Sequence, residues 1–373
     1  MADDRWARAA IDLGAVAMNA RALRALIAPR TLFMAVVKAD GYGHGALPVA
    51  RAALDAGADR LGVATVREAV ELREAGIDAP LHVLSEPPAA AAQHLIEHDL
   101  IPTVTTAPFA EALGQAAVAA GVSARVHLKV DTGMHRIGVP ATDAPAFAAA
   151  LSHTAGLRME GVMTHFATAE VPGDWDFETQ LSIFREVVMR MRDEGVNPGI
   201  VHACNSAGTI LHPDAHFDMV RCGIALYGLH PARSTYECIA LQPAMTVSTR
   251  VTLVKRIGMG EGVSYGLTWR AAAPATIATL PLGYADGVHR MLSNGMDVLI
   301  HGVRCPQVGR VCMDQLMIEV PRNVEVAIGD EAVLVGTQGE DRISMDELAA
   351  AAHTINYEMA CAFGMRLPRS YDR

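Results

Sequence analysis

The six cysteines of this 373-residue chain (Cys204, Cys222, Cys238, Cys305, Cys312 and Cys361) form no CxxC pair and no zinc-like spacing. No disulfide scaffold or metal site is therefore expected, and reduced thiols in a reducing compartment fit the pattern. The chain also lacks a basic cluster: 31 Lys and Arg are scattered among 41 Asp and Glu, for a net charge of −10. Counterion release needs several clustered cations, so nucleic acid is not expected as a partner. Apolar residues make up 51% of the chain, much of it Ala, yet no uninterrupted run approaches the roughly 18 residues of a membrane span. The start Met1-Ala2-Asp3-Asp4-Arg5-Trp6 carries no basic segment followed by an apolar one; no secretory signal is read there, and a cytoplasmic location is expected. There is no internal repeat and no low-complexity linker, and the length suggests about two domains.

What is present is a rhythm. Between residues 32 and 224, eight short apolar runs (32–37, 61–65, 81–84, 101–105, 125–130, 161–165, 200–204 and 219–222) alternate with helical patterns such as 67–75, 108–120, 142–151 and 177–194. Eight strand–helix units predict an α/β fold, a closed (β/α)8 TIM-type barrel. An open doubly wound sheet ranks behind it, since no Gly-x-Gly-x-x-Gly follows the first strand. After about Pro243 the texture changes to alternating runs at 245–255, 275–280, 298–301, 316–320 and 331–335, broken by Gly, Pro and Asn-Gly turns, which predicts an antiparallel β domain. One closing helix over 344–354 is expected, with Ser344 and Glu347 as a capping box. The run 6–13 is surplus to the barrel and is assigned to the second domain's sheet. The division is thus a barrel over 12–240 and a mostly-β C-terminal domain over 241–373 plus the strand in 1–11.

Barrels of this kind carry their chemistry at the carboxyl ends of the strands. There the sequence places Lys38 after strand 1, Lys129 through Arg136 after strand 5, His165 at the end of strand 6, Asn205 and Ser206 after strand 7, and Arg221-Cys222-Gly223-Ile224 at strand 8. A lysine beside a buried strand is costly to desolvate and tends to lose its proton, as an aldehyde-binding amine must. Gly41, Gly43 and Gly45 let the backbone approach a ligand, with Tyr42 and His44 as polar edges. Ser206, Gly223 and Ile224 can offer a hydroxyl and backbone N–H groups to a phosphate after strands 7 and 8. A lysine across the barrel mouth from a phosphate site suggests pyridoxal phosphate. Singly, each residue has a plainer explanation: Lys38 a lysine passing a strand end, His165 a satisfied core histidine, Arg221 an ion-pair partner, Ser206 a helix N-cap. Strand ends chosen at random would rarely bring them all to one rim.

The segment Ala35-Val36-Val37-Lys38-Ala39-Asp40-Gly41-Tyr42-Gly43-His44-Gly45 resembles the cofactor-attachment signature of bacterial alanine racemases. The likeness continues through 129–138, 164–167, 205–207, 219–228, 262–266, 280–287, 309–315 and 356–358. It implies a barrel plus a β domain, a homodimer, pyridoxal 5'-phosphate on Lys38, and interconversion of L- and D-alanine, either to supply D-alanine for peptidoglycan or to consume it. The resemblance assigns two bases, Lys38 and, from the partner subunit, Tyr265. A phenol ionises near pH 10, so such a base needs positive charge near it, for which His165 and Arg221 are the natural support. It further implies Arg221 at the pyridine nitrogen, Tyr42, Asn205, Ser206, Gly223, Ile224 and Tyr357 around the cofactor, and Arg136 with the Met313 backbone at the substrate carboxylate. Lys129 matches a lysine that is often carbamylated, an ordinary salt-bridged lysine being the alternative. Two positions depart from the pattern: His135, where a small or amide residue is usual, and Glu170, where an aspartate is familiar. The competing readings are a serine or broad-spectrum racemase, a two-domain amino-acid decarboxylase, and a non-catalytic, barrel-only pyridoxal-phosphate-binding protein.

Overall fold

A computed structural model describes residues 6–372; the outermost residues of the C-terminal-domain assignment, 1–5 and 373, lie outside the described residues. Two compact units are present, one holding 15–41 and 46–243, the other 6–14, 42–45 and 244 onward.

All eight expected barrel strands form. They are Leu32–Val36, Arg60–Val63, Leu81–Val83, Ile101–Val104, Ala124–Asp131, Leu157–Met163, Ile200–His202 and Met219–Cys222. Each pairs in parallel with its neighbour, and the ring closes through strands 8 and 1, with Met219 opposite Leu32. Helices intervene where the sequence has the means to start them. Val66–Glu74 begins at Thr65, whose side chain accepts from the Glu68 N–H while Glu68 reaches back to the cap. Trp175–Asp193 begins at Asp174, which accepts from the Phe177 N–H. Phe33, Phe166, Phe177 and Phe184 are among the largest fully buried side chains.

In the second unit, Arg8–Asp12 lies between Met245–Arg250, antiparallel, and Arg369–Asp372, parallel. The expected run 245–255 is two strands, Met245–Arg250 and Leu253–Ile257, in different sheets; the second pairs with Ala275–Leu280, which also pairs with Leu316–Val320. The first ladder runs on to Val251, whose N–H donates to the Asp330 carbonyl, and at Thr252 the N–H turns to the Thr279 carbonyl of the other sheet. The expected single closing helix is also corrected. Met345–Ala351 is followed by a second helix, Asn356–Ala362, and a final strand. His353, at φ 55°, ends the first of these helices in the left-handed region. Ser344 does accept from the Glu347 N–H, but the Glu347 carboxylate pairs with Arg304.

Candidate active site

Lys38 follows the first barrel strand and opens a left-handed turn in which Ala39, Asp40, Gly41 and Tyr42 have φ of 53°, 51°, 62° and 51°. Each L-residue held so costs roughly 1–2 kcal/mol, and such strain clusters at functional positions. The turn is pinned at three points: Ala39 N–H to Glu68 Oε1 (2.7 Å), Gly41 N–H to the Val37 carbonyl (2.9 Å), and Ala46 N–H to Asp40 Oδ1 (2.9 Å).

Around the carboxyl ends of strands 5 to 8 stands a set of basic side chains, of which Arg221 and Lys129 are buried. Arg221 is only 4% exposed, and its guanidinium donates to His202 Nδ1 (2.9 Å), His165 Nδ1 (3.1 Å) and the carbonyls of Thr164 (2.9 Å) and Ala203 (2.8 Å). Its Nε–H makes no hydrogen bond among the described residues. Burial lowers Arg221 only to about 10, so it stays a cation at neutral pH. His165 follows the end of strand 6; burial, then the charges of Arg221, Lys129, Arg136 and Lys38, hold it well below the usual histidine range. It is therefore neutral, and because Nδ1 accepts from Arg221, its proton is assigned to Nε2. Lys129 is pushed down to about 7 by burial and by Arg221, Arg136 and Lys38. Arg136 shares a narrow cleft with Lys129 and His165. Its loop is tied by Asp131, whose Oδ1 accepts from the Gly133 and His135 N–H groups, both at 3.0 Å.

Asn205 caps the helix Ser206–Leu211 by accepting from the Gly208 N–H (2.9 Å). Ser206 is thus the first helical residue, and its Oγ accepts from the Gly223 (3.0 Å) and Ala225 (3.4 Å) N–H groups, leaving the hydroxyl hydrogen to donate. His135 sits at φ 54°, a left-handed backbone that a small or amide residue adopts at less cost. The Glu170 carbonyl accepts from Ser234 Oγ at 2.7 Å.

In the other unit, Tyr42 and Tyr357 approach with ring centroids 6.3 Å apart, and burial, then Tyr357 and Cys361, raise the Tyr42 phenol so that it keeps its proton. Tyr265 (72% exposed) and Met313 (51%) line one open pocket with Ser264 and Cys312. Ser264 Oγ donates to the Arg310 carbonyl at 2.6 Å, joining the two loops.

Sequence reasoning missed the polar interior beneath Arg221: Arg60, His82, His127, Glu160 and His202. A signal was available, because His82, His127 and His202 each stand in a barrel strand flanked by aliphatic residues, where a satisfied buried partner is required.

These features define a two-domain (β/α)8-barrel protein with basic side chains gathered at the carboxyl ends of its strands. Residues 11–231 match the family model for the alanine racemase N-terminal domain and residues 244–371 that for the C-terminal domain. An alanine racemase of Symbiobacterium thermophilum is 48% identical over 98% of this chain and 96% of its own. Among solved structures, alanine racemase from D-cycloserine-producing Streptomyces lavendulae superposes with a TM-score of 0.94 at 40% identity, covering 99% of this chain and 97% of that one. The Bacillus anthracis alanine racemase with bound L-Ala-P gives 0.93 at 38% identity, over 99% and 95%. The chain belongs to the alanine racemase family. The match to both domains sets aside the barrel-only alternative. No described helix is long and apolar enough to cross a membrane.

Proposed function

We propose that this chain interconverts L- and D-alanine by a two-base mechanism with pyridoxal 5'-phosphate at the barrel mouth, acting as a cytoplasmic homodimer. The observation that carries this reading is four basic side chains, Lys38, Lys129, Arg136 and Arg221, gathered about one neutral imidazole, His165, in a chain of net charge −10. A place so concentrated in positive charge favours ligands bearing a phosphate and a carboxylate.

The residues fit that cofactor. Lys38 would supply the amine to hold it, the uncommitted Nε–H of Arg221 a donor for its ring nitrogen, and the Ser206 hydroxyl and Ile224 N–H donors for phosphate at the helix capped by Asn205, with the Gly223 N–H holding Ser206 Oγ in place. Tyr42 and Tyr357 add phenols to that task. When bound, pyridoxal phosphate supplies the electron sink that makes the α-proton of alanine removable.

Lys38 Nζ moves the α-proton on one face, and Tyr265 of the partner subunit moves it on the other. Arg221, always protonated, offers a hydrogen and accepts none, so the atom it faces stays unprotonated. Arg136 orients the substrate carboxylate with two parallel donors, together with the backbone of Met313 of the partner subunit. The exposure of Tyr265 and Met313 on one pocket supports their use by a second copy. Six cysteines that form no disulfide among the described residues suit a reducing cytoplasm. Lys129, neutral in part near pH 7, is open to carbamylation, which would place a negative charge beside Arg136.

Borohydride reduction of purified protein followed by peptide mapping tests the attachment, with Lys38 as the expected labelled residue. A chiral assay should show approach to the racemate from both enantiomers. Tyr265→Phe should lose roughly 10²–10⁴-fold in racemisation while the Lys38 label persists. A label at another lysine, or undiminished turnover by the variant, refutes the scheme.

A further inference from the structure

Below Arg221 a continuous hydrogen-bond chain runs through the barrel interior. His202 Nδ1 accepts from Arg221 Nη1 (2.9 Å), the second nitrogen of His202 meets His127 Nδ1 (2.7 Å), and His127 Nε2 meets Glu160 Oε2 (3.2 Å). Glu160 also accepts from Arg60 Nη1 at 2.8 Å. Arg60 lies on strand 2 and Glu160 on strand 6, opposite sides of an eight-stranded ring, so this contact crosses the interior.

The proton positions along the chain are forced. A guanidinium can only donate and a carboxylate can only accept. Although burial opposes it, the hydrogen bonds from His127 and Arg60 hold Glu160 down to about 2, so it is ionised. Both imidazoles are held below the usual histidine range, by burial first, and are neutral. His127 must then carry its proton on Nε2 to serve Glu160, and so presents a bare Nδ1. His202 must carry its proton on Nε2 to serve His127, and so presents a bare Nδ1 to Arg221.

The backbone is shaped for this arrangement. The pairing of strands 5 and 6 slips at Glu160, with Val126 opposite Met159 but His127 opposite Gly161. A bulge of this kind re-aims the extra side chain. A Cβ on Gly161 would stand 2.5 Å from His127 Cε1, so only glycine leaves room for the imidazole. His82, His127 and Glu160 are close enough together to suggest a metal cluster, but Arg60 already donates to Glu160 and is paired with His82 Nε2 at 3.1 Å.

We infer that Glu160 and His127 are positioning residues for the racemase, acting through His202 to fix the tautomer that turns Arg221 and leaves its Nε–H for the cofactor. The last clause rests on the proposed placement of Arg221; the tautomer assignment does not. In Glu160→Gln, the amide can donate to His127 Nε2, and the chain can invert until His202 Nδ1–H confronts the Arg221 N–H.

The test is 15N NMR of histidine-labelled, cofactor-free protein, assigned with His127→Phe and His202→Phe. In wild type, both His127 and His202 should show a pyridine-type Nδ1 and a pyrrole-type Nε2. Glu160→Gln should lose the single tautomer at His202, while Glu160→Asp keeps it. The loaded Glu160→Gln enzyme should lose about tenfold in kcat with KM for alanine within about twofold, since Arg221 does not hold the substrate. A wild-type His202 bearing its proton on Nδ1 overturns the inference whether or not Glu160→Gln folds. A Glu160→Gln protein with unchanged His202 signals and unchanged kcat overturns it too. Retained wild-type tautomers with no cofactor on Lys38 would defeat the proposed function while leaving the chain intact.

Discussion

Lys129 gives the most direct test of how the barrel mouth handles charge. With its amine held near 7, about half is neutral at pH 7, against roughly one part in 3,000 for a lysine at the ordinary 10.5. Only the neutral amine adds carbon dioxide, forming an N–C bond and releasing a proton, so the depressed value raises carbamate formation at pH 7 by about a thousandfold. The product replaces a cation with an anion among Lys38, Arg136 and Arg221. The assay is 13C NMR of protein equilibrated with 13C-bicarbonate between pH 6 and 9. One carbamate signal per chain should grow through pH 7–8 and be absent from Lys129→Ala. Stability without carbon dioxide supplies the second readout. Between about 7 and 10.5 the unfolded chain binds a proton at this lysine that the folded chain does not, so the group's contribution rises with pH across that window, by at most about 1.4 kcal/mol per pH unit. It is lowest below pH 7, where the cation must be carried buried. Absence of a carbamate signal at pH 8, or its survival in Lys129→Ala, refutes the reasoning.

Three further outcomes follow from the loops. In Gly283→Ala the new Cβ would stand 2.3 Å from the carbonyl oxygens of Cys312 and Met313, forcing that loop to move; denaturant unfolding should show a loss of about 1–3 kcal/mol, and steady-state kinetics a raised KM for alanine. Asp131→Ala removes the acceptor for the Gly133 and His135 N–H groups and should cost about 1–3 kcal/mol with a raised KM, because the same loop carries Arg136. His135→Gly should stay within about 1 kcal/mol of wild type, since relief of the left-handed backbone offsets the added chain entropy and an exposed contact to Asp131 is worth little.

The barrel was legible because its strands are buried on both sides and read as apolar runs, each bounded by turn residues. All eight were found within a few residues of their true limits, most widely at strand 6, which runs from Leu157 where the apolar run was read from 161. That error has a physical source. Arg158 and Glu160 break the apolar pattern, and the Glu160 bulge disturbs the period on which the reading depends. The residues at strand ends were also legible, because a lysine, an arginine and a histidine at successive rims are unusual in a core. What could not be read was connectivity: periodicity says that Asn205 and Ser206 start a helix, but only the fold shows that Ser206 Oγ gathers the N–H groups of Gly223 and Ala225. The second domain was read less well, because short strands such as 253–257 are mostly exposed and carry little apolar signal.

The polar interior explains why histidine stands where a parallel barrel ordinarily places branched aliphatics. A buried arginine needs acceptors, and a carboxylate placed directly against Arg221 would pair with it as fully as a ligand does. Two neutral imidazoles between Arg221 and Glu160 satisfy the guanidinium without giving it an adjacent counter-charge, because imidazole alone among the side chains accepts on one ring nitrogen and donates on the other in a fixed geometry. The positive charge at the mouth therefore remains available to an incoming anion, while both ring nitrogens of His202 and of His127 have a partner. Replacing the imidazoles with aliphatic side chains would improve packing and strand the guanidinium, so the same substitution that suits a generic barrel would remove what this one requires of its interior.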